Sequence, residues 1–396
     1  MTVKLTSPYQ TVAGVNVLTS QTITNRQTFF GRGSLQQLLP LLQQTPQATL
    51  LFCSRSFLNS SHYAAISPAL KPLLIGYEVV THEASPDNID HWVARWRGKV
   101  ERVVAIGGGS VLDAAKAFAA MSQHPLNTLR YLEKTGDTPV SGETLPLIAV
   151  PATAGTGSEV TQNAVVTDQS DNKVKASLRH ANFVPQVAIL DADLLDGAPD
   201  KVLACCAIDA FTHLFEAWLS AKGNMFTRQT ALNGMRQFIK GWPDLNRQDE
   251  RGAEAREAML MASWLGGLSL SMAGLGVIHG IAGELGAIKA WHHGEVCGRL
   301  LLPFLALLDN SEHPQQQALM AELQLALFGA AHPTPASYLS QWLQQHAVFP
   351  FWQQRLALSA SEVEWIVARA NSKNSLVNYS LAQRRWMLEQ AYCCTD

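Results

Sequence analysis

The chain lacks three features that mark particular classes of protein. None of its six cysteines forms a C-x-x-C pair, so reduced thiols are expected rather than a zinc ribbon or a disulfide framework. The formal net charge is only −2, which argues against nucleic acid and anionic membranes as partners. No apolar run approaches the roughly 18 residues of a membrane span, and residues 1–6 show no signal-peptide pattern. A cytoplasmic protein is therefore expected.

What the sequence does have is a large apolar content. Of 396 residues, 47% are hydrophobic and 16% are charged, which is typical of compact proteins with large cores. A chain of this length predicts two or three domains. The composition changes near Asp193, so we predict one domain over residues 1–193 and a second over residues 194–396.

Short apolar runs alternate with amphipathic segments in the first half of the chain. This alternation predicts an α/β domain built on a doubly wound parallel sheet, and such sheets bind ligands at the carboxyl ends of their strands. The predicted strands cover residues 48–53, 77–81, 103–106, 147–150 and 187–190, and helices are predicted at 34–43, 89–98 and 110–120.

The second half has a different pattern. Runs of β-branched residues fade after residue 194, and helical periodicity replaces them, which predicts an all-α domain. The predicted helices cover residues 201–221, 225–242, 250–272, 276–290 and 359–371, with one more helix, flanked by loops, within 314–335.

A glycine-rich turn, Gly107, Gly108, Gly109 and Ser110, joins a predicted strand to a predicted helix. Glycines allow close backbone approach, and the start of the helix offers N–H groups to a phosphate. We expect Ser110 to cap the helix and Asp113 to lie in its first turn. The turn matches neither G-x-G-x-x-G nor a P-loop, so a simple tight turn is the alternative.

A second polar loop follows the next predicted strand. It carries Thr153, Thr156 and Ser158, with Gly155 and Gly157 between them. Two such loops at the ends of adjacent strands could enclose a pyrophosphate and a nicotinamide ribose. The two loops together therefore predict a dinucleotide site more strongly than either loop alone.

One carboxylate and three imidazoles predict a metal site. Asp209 and His213 stand four residues apart, which places both side chains on one face of a helix, and His279 and His293 each precede a glycine. Such a set suits Fe(II) or Zn(II) and leaves a cation able to polarise a carbonyl. For any single histidine, a core or surface role is the alternative. A metal beside a nucleotide loop indicates redox chemistry on a small alcohol or aldehyde.

At these motifs the chain resembles the iron-containing (group III) alcohol dehydrogenase family. The resemblance implies a dehydroquinate synthase-like fold, with the active site between a nucleotide-binding α/β domain and a helical domain. It also implies a metal-dependent, NAD(P)-linked enzyme that acts on small-molecule alcohols or aldehydes and forms a homodimer or larger homo-oligomer. The matching segments are T-F-F-G-R-G-S-L (28–35), G-G-G-S-V-L-D-A-A-K, P-A-T-A-G-T-G-S-E, V-P-Q-V-A-I-L-D, D-A-F-T-H, G-L-G-V-I-H-G and H-H-G.

The resemblance also implies roles for individual residues. The implied metal ligands are Asp209, His213, His279 and His293. The implied cofactor-binding residues are Gly107, Gly108, Gly109, Ser110 and Asp113 at the phosphates, Thr153, Thr156 and Ser158 on the path from adenine to nicotinamide, and Lys175, which reaches the cofactor.

One departure from the family pattern concerns the catalytic histidines. Many members carry H-x-x-x-H at the third ligand, but Gly283 stands four residues after His279 here. His292, directly before His293, could partly replace the missing histidine in a proton relay, with a surface role as the alternative. We therefore predict His292 and His293 as catalytic residues.

A second departure concerns the choice of cofactor. Many NAD-using members carry an aspartate after the first strand, where it holds the ribose 2′-OH. This chain has Ser54 and Arg55 at that point. Losing a carboxylate and gaining a guanidinium both favour a 2′-phosphate, so NADP(H) is predicted over NAD(H). The alternative is that Arg55 simply points to solvent.

Other functions are compatible with the same residues. The fold also serves sugar-phosphate cyclases, for which Lys289 and Arg299 are the only visible phosphate ligands in the helical half. A polyol, a phosphonate aldehyde or a sugar-acid aldehyde is an alternative substrate. A nucleotide-binding scaffold with a decayed site is the non-enzymatic alternative, although all four metal ligands are present. Residues 10–24 have β character and could cross between subunits.

Overall fold

The computed structural model of the protein describes residues 9–12, 15–18, 21–168 and 173–395. The predicted absence of a signal peptide concerns residues 1–6, which lie outside the described residues. The strands are β1 (Tyr9–Val12), β2 (Val15–Leu18), β3 (Gln27–Phe30), β4 (Thr49–Ser54), β5 (Leu74–Val80), β6 (Arg102–Gly107), β7 (Leu147–Pro151), β8 (Asn163–Asp168), β9 (Val174–Arg179), β10 (Val187–Leu190), β11 (Ala357–Ser359) and β12 (Cys393–Thr395). The helices are α1 (Leu38–Gln44), α2 (Arg55–Leu58), α3 (Ser61–Leu70), α4 (Pro86–Trp96), α5 (Gly109–Met121), α6 (Asp200–Trp218), α7 (Met225–Gly241), α8 (Glu250–Ala273), α9 (Val277–Ile288), α10 (His293–Asp309), α11 (Pro314–Phe328), α12 (Pro335–Gln345), α13 (Ala360–Arg369) and α14 (Leu381–Ala391).

A six-stranded parallel sheet organises the first half of the chain. Its strand order is β3-β10-β7-β6-β4-β5. From β4 the chain adds β5 on one side, then crosses to β6 on the other side and continues outward through β7. The order therefore reverses between β4 and β6, and ligands bind at the carboxyl ends of the strands at such a point. The predicted doubly wound parallel sheet is confirmed.

The central strands are apolar because helices cover both faces of the sheet. Every residue of β6 and β7 is buried. On one face Phe52 of β4 packs on the rings of Trp92 and Phe118, with ring centroids 5.2 Å apart in each pair. On the other face Leu51 packs in a cluster with Leu38 of α1. Parallel strands covered in this way appear in the sequence as continuous apolar runs, which is why the sequence predicted them.

An antiparallel hairpin outside the main sheet was not predicted. Strands β8 and β9 pair from Asn163 opposite Arg179 to Asp168 opposite Val174. Residues of β9 alternate between buried and partly exposed, as expected for a strand with one covered face. The hairpin packs against α5 and α9, so it joins the two halves of the chain. The segment at residues 10–24 contains the described strands β1 and β2, which pair antiparallel.

The second half is helical with one exception. The predicted helical second half is confirmed, and the small parallel sheet of β11 and β12 is the one feature there that departs from the predicted all-α pattern. Helix α6 lies at the centre and is buried from Leu203 to Trp218. Helices α10, α12 and α14 were not predicted. Among the described residues no single helix has the length and apolarity of a membrane span, and α8 with α9 reaches both only as a pair bent by 101°.

Two glycines of α9 have opposite surroundings, which gives a matched pair of variants. A Cβ atom on Gly280 would lie 1.8 Å from the carbonyl oxygen of Asn371, whereas a Cβ on Gly283 would meet nothing within 4 Å. We expect Gly280→Ala to lower the free energy of unfolding by about 1–3 kcal/mol, as overpacking does. Gly283→Ala should raise it by about 0.5–1 kcal/mol through helix propensity. Urea unfolding measures both, and changes of the same sign would contradict the packing described for α9.

Candidate metal and nucleotide site

The glycine-rich turn lies at the carboxyl end of β6, at the point where the strand order reverses. Strand β6 ends at Gly107 and α5 begins at Gly109, with Gly108 in extended conformation before it. Two details of the prediction were wrong: Gly108 rather than Ser110 is the N-cap residue, and Asp113 lies in the second turn of α5. In the described chain no side chain caps this helix, so its first N–H groups face the sheet edge without a side-chain acceptor.

The second polar loop packs directly on the glycine-rich turn, as the sequence predicted. The two strands that precede them pair up to Gly107 opposite Pro151. A Cβ atom on Gly109 would lie 2.5 Å from the side chain of Thr156, and a Cβ on Gly108 would lie 3.2 Å from that of Thr153. Glycine is therefore required for the two loops to approach this closely.

A buried lysine ties the second loop to α5. Lys116 is only 1% exposed, and its Nζ donates to the carbonyl oxygens of Ser158 at 2.7 Å, Thr161 at 3.0 Å and Asn163 at 2.8 Å. Burial lowers the pKa of Lys116 to about 8. The Ser158 hydroxyl donates to Asp113 Oδ1 at 2.5 Å. Asp113 and Ser158 thus have partners inside the protein, and their contact with a cofactor stays a prediction.

Ser54 is the last residue of β4, the strand next to β6, and Arg55 follows it. Ser54 caps the short helix α2, because its Oγ accepts a hydrogen bond from the N–H of Phe57 at 3.1 Å. Arg55 is exposed. Strands β4 and β6 are in register, with Cys53 opposite Ile106. Ser54 therefore lies one strand away from the glycine-rich turn, at the same edge of the sheet.

Lys175 of β9 extends toward the helical half. Its Nζ donates to Glu83 Oε1 at 2.6 Å, and its side chain is 12% exposed. A Cβ atom on Gly286 of α9 would lie 3.3 Å from Lys175 Cδ. Glu83, which sequence reasoning missed, also accepts a hydrogen bond from Thr167. Lys175 consequently lies between the sheet edge and α9.

Helices α6, α9 and α10 bring the four predicted metal ligands together. Asp209 Oδ1 lies 3.8 Å from His213 Nε2, 3.5 Å from His279 Nε2 and 3.9 Å from His293 Nε2. The His213 and His279 rings are stacked with their centroids 4.7 Å apart. Three histidines from three different helices thus surround one carboxylate oxygen of Asp209.

Two further residues of this cluster were missed by sequence reasoning. Cys297 belongs to the group of donor atoms, since its sulfur and the ligand atoms of Asp209, His279 and His293 all lie within 4.8 Å of one another. Glu216 Oε2 accepts a hydrogen bond from His279 Nδ1 at 2.7 Å, which turns His279 Nε2 toward the group. The signal was present as spacing: Glu216 and Cys297 each follow a predicted ligand by one helical turn.

The charges in the cluster suit a divalent cation. Asp209 Oδ1 is buried and has no hydrogen-bond partner among the described residues. Burial acts to raise the pKa of Asp209, but the neighbouring imidazoles outweigh it and hold that pKa below its usual range. Burial lowers the pKa of His213 to about 4 and that of His293 to about 3. At neutral pH these two rings are neutral and their lone pairs can bind a metal.

The predicted catalytic histidines occupy different positions. His293 begins α10 and belongs to the donor group. His292 precedes the helix, is exposed, and has its Nε2 3.9 Å from the sulfur of Cys206. The space beside Gly283 is open. The position of the family's second histidine is therefore open space, and His292 lies outside the donor group.

The second polar loop also packs on the helical half that carries the metal cluster. A Cβ atom on Gly155 of the second loop would lie 2.8 Å from the carbonyl oxygen of Cys206, one turn before Asp209 in α6. A Cβ on Gly157 would lie 2.5 Å from Cα of Gly267 in α8. The loop that contacts the glycine-rich turn thus also packs on the helix that carries the first two predicted ligands.

Comparison with known proteins gives the family. One family model, iron-containing alcohol dehydrogenase, matches residues 25–192, and a second, the C-terminal part of the Fe-containing alcohol dehydrogenase family, matches residues 203–347. The chain is 30% identical over 310 residues to the NADPH-dependent butanol dehydrogenase of Clostridium saccharobutylicum, covering 77% of each chain. The chain belongs to the iron-containing alcohol dehydrogenase family. The predicted family is confirmed.

Two further similarities bear on the extent of this relationship. The probable alcohol dehydrogenase EutG of Escherichia coli (strain K12) is 42% identical over 201 residues, which are 51% of this chain and 49% of that protein. The chain therefore spans about half the length of this relative. A mutant of an archaeal halo-thermophilic Red Sea brine pool alcohol dehydrogenase superposes with a TM-score of 0.83 at 20% identity, over 94% of this chain and 98% of that one. That superposition confirms the fold.

Proposed function

We propose that this member of the family is a metal-dependent, NAD(P)-linked dehydrogenase that interconverts a small alcohol and its aldehyde. The observation that carries the proposal is the buried Asp209 Oδ1, which has no hydrogen-bond partner among the described residues and lies within 3.9 Å of three imidazole nitrogens. The second nucleotide-type loop packs on the same helix. When bound, the metal supplies Lewis-acid polarisation of the substrate oxygen, and the nicotinamide supplies or accepts the hydride.

The residues of the cluster have separate tasks in this proposal. Asp209, His213, His279 and His293 hold the metal, and the carboxylate offsets part of the positive charge. Glu216 fixes the ring of His279 through its Nδ1 hydrogen bond and so orients Nε2. His292, exposed beside the cluster, is the proposed proton carrier between the substrate oxygen and water.

The cofactor site follows from the sheet edge. The backbone of Gly107, Gly108, Gly109 and Ser110 binds the pyrophosphate, because a helix N-terminus attracts negative charge. Thr153 and Thr156 border the same space from the second loop. Asp113 and Ser158 support that loop through Lys116, and Lys175 approaches the cofactor from β9. Ser54 and Arg55 border the ribose and favour NADP(H) over NAD(H).

The cofactor preference can be tested at Ser54. Ser54→Asp should reduce the preference for NADPH over NADH by about 100-fold, because a carboxylate beside a 2′-phosphate costs several kcal/mol. Ser54→Asn is the matched control, since it keeps the shape and the helix cap without adding charge. The ratio of kcat/KM values for the two cofactors measures the effect. An unchanged ratio in Ser54→Asp would show that the 2′-phosphate of the cofactor does not lie beside Ser54.

The sugar-phosphate cyclase alternative finds no support in the described residues. Lys289 Nζ lies 2.7 Å from Glu362 Oε1, and Arg299 lies 2.7 Å from Glu295 Oε1. Both cations are already paired with carboxylates and offer no unpaired charge to a substrate phosphate. The non-enzymatic alternative requires a decayed site, whereas the donor group here is complete.

The proposed activity is tested with protein reconstituted with Fe(II) or Zn(II). Nicotinamide fluorescence should report binding of NADPH, and short aldehydes should then oxidise it. If NADPH binds but no short aldehyde is turned over, the expected substrate becomes a polyol, a phosphonate aldehyde or a sugar-acid aldehyde. Failure to bind both metal and nicotinamide would leave the non-enzymatic alternative.

Four broader predictions remain with this proposal. We infer two domains divided near Asp193, which is supported by the end of β10 at Leu190 and the start of α6 at Asp200. A homodimer or larger homo-oligomer and a cytoplasmic location stay predictions, as does a crossing of residues 10–24 between subunits. Light scattering of the purified protein measures the oligomeric state.

A further inference from the structure

We propose that Cys297 is a direct metal ligand in this chain, so that the bound ion has a thiolate beside carboxylate and imidazole donors. This inference rests on the proposed metal-dependent function and adds a residue to it. A sulfur ligand also distinguishes this site from the ligand set that the family resemblance implies, which has only oxygen and nitrogen donors.

The distances around the sulfur are those of ligands on a common ion. Cys297 Sγ lies 3.5 Å from His279 Nε2 and 3.6 Å from His293 Nε2. A tetrahedral zinc with Zn–S of about 2.3 Å and Zn–N of about 2.0–2.1 Å places its S and N donors about 3.5–3.6 Å apart. Both sulfur–nitrogen distances therefore match the spacing of two donors on one zinc ion.

The environment of Asp209 is a separate observation that fits a bound metal ion. Asp209 Oδ1 is buried and has no hydrogen-bond partner among the described residues, although it lies within 4.8 Å of the Cys297 sulfur. A buried carboxylate oxygen without a partner is costly. A metal ion bound by Cys297 together with Asp209 and the neighbouring histidines would satisfy Asp209 and give Cys297 a charged partner.

The fold holds Cys297 at this position. It follows His293 by one turn of α10, so both side chains lie on the same face, and it is fully buried. Two glycines let α10 approach α6: a Cβ on Gly294 would lie 1.9 Å from the carbonyl oxygen of Cys205, and one on Gly298 would lie 2.8 Å from Ile208. The close approach of the two helices brings the sulfur to the level of Asp209.

A thiolate ligand changes which metal the site holds. Soft sulfur donors favour Zn(II) over harder ions, whereas carboxylate and water favour ions such as Mg(II) and Mn(II). The thiolate also removes one unit of positive charge from the centre. We therefore expect Zn(II) and Co(II) to bind the wild-type protein at least about tenfold more tightly than they bind Cys297→Ser.

Cobalt substitution of the full chain tests the inference without relying on activity. Wild-type protein loaded with Co(II) should show a near-ultraviolet thiolate-to-cobalt charge-transfer band in addition to visible d–d bands. Cys297→Ser should lose the charge-transfer band and keep the d–d bands. Cys205→Ser is the matched control, because Cys205 is equally buried, lies in α6 one turn before Asp209, and is outside the donor group. Cys205→Ser should keep both the charge-transfer band and the d–d bands.

X-ray absorption of the wild-type zinc protein gives a second readout that needs no variant. It should show one sulfur at about 2.3 Å from the zinc. Bound Co(II) without a charge-transfer band, or a zinc shell of nitrogen and oxygen only, would overturn the role of Cys297 and leave the metal-dependent function intact. Absence of any metal binding in equilibrium dialysis would overturn both.

Discussion

Asp209→Asn should remove tight binding of a divalent metal and lower kcat/KM for aldehyde reduction by about 10³-fold or more. Asp209 Oδ1 is the atom that His213, His279 and His293 all approach within 3.9 Å, so its charge is central to the site. A Lewis acid contributes several kcal/mol to such a reaction, and each 1.36 kcal/mol is about tenfold in rate. Metal content by mass spectrometry and steady-state kinetics measure the two effects.

The asparagine keeps the volume of the side chain, so the fold should persist in this variant. Asp200→Asn is the control, because Asp200 lies at the exposed start of the same helix, where it accepts a hydrogen bond from Asn246. Its metal content and kcat/KM should match the wild type. Full activity of metal-free Asp209→Asn would refute the proposed role of the cluster.

Lys116→Met should lower the free energy of unfolding by about 3–5 kcal/mol, since removing one partner of a buried charged network leaves the others unpaired. The lost contacts are those of Nζ with Ser158, Thr161 and Asn163, together with the ion pair to Asp113 at 3.9 Å. Urea unfolding measures the change. Because these contacts hold the second loop against α5, KM for the nicotinamide cofactor should also rise.

A surface lysine provides the comparison for this variant. Lys99→Met removes an exposed lysine whose Nζ donates to the carbonyl oxygen of Arg95, and it should change stability by no more than about 0.5 kcal/mol. If Lys116→Met were as mild as Lys99→Met, the second loop would have to be held by its packing on α6 and α8 alone.

The sequence predicted features that depend on local pattern. The strands that became β4, β6 and β7 are continuous apolar runs because both faces of the sheet are covered. Asp209 and His213 share a helix face by their spacing alone. The glycine-rich turn follows its strand directly, and its position at the reversal of strand order follows from the order of elements.

Features that depend on which elements meet were not predictable in the same way. The sequence did not distinguish Cys297 from the other five cysteines, because its contact with His279 depends on the packing of α10 beside α9. Likewise, the role of Glu216 depends on its hydrogen bond with His279, which lies in another helix. Helix α5 begins at Gly109, one residue before Ser110, so Gly108 is the N-cap residue. The hairpin of β8 and β9 is short and half polar, so its pattern was weak.

Adding metal back to metal-stripped protein while following turnover tests whether the cluster around Asp209 is the site of reaction. Chelator-treated protein, supplied with NADPH and a short aldehyde, is returned to Zn(II) or Fe(II) in substoichiometric steps. We expect no oxidation of NADPH before metal is added. The rate of NADPH oxidation should then rise linearly with added metal and reach a plateau at one ion per chain. Full turnover before any metal is added would contradict the assignment of Asp209 and its neighbouring histidines as the site of reaction.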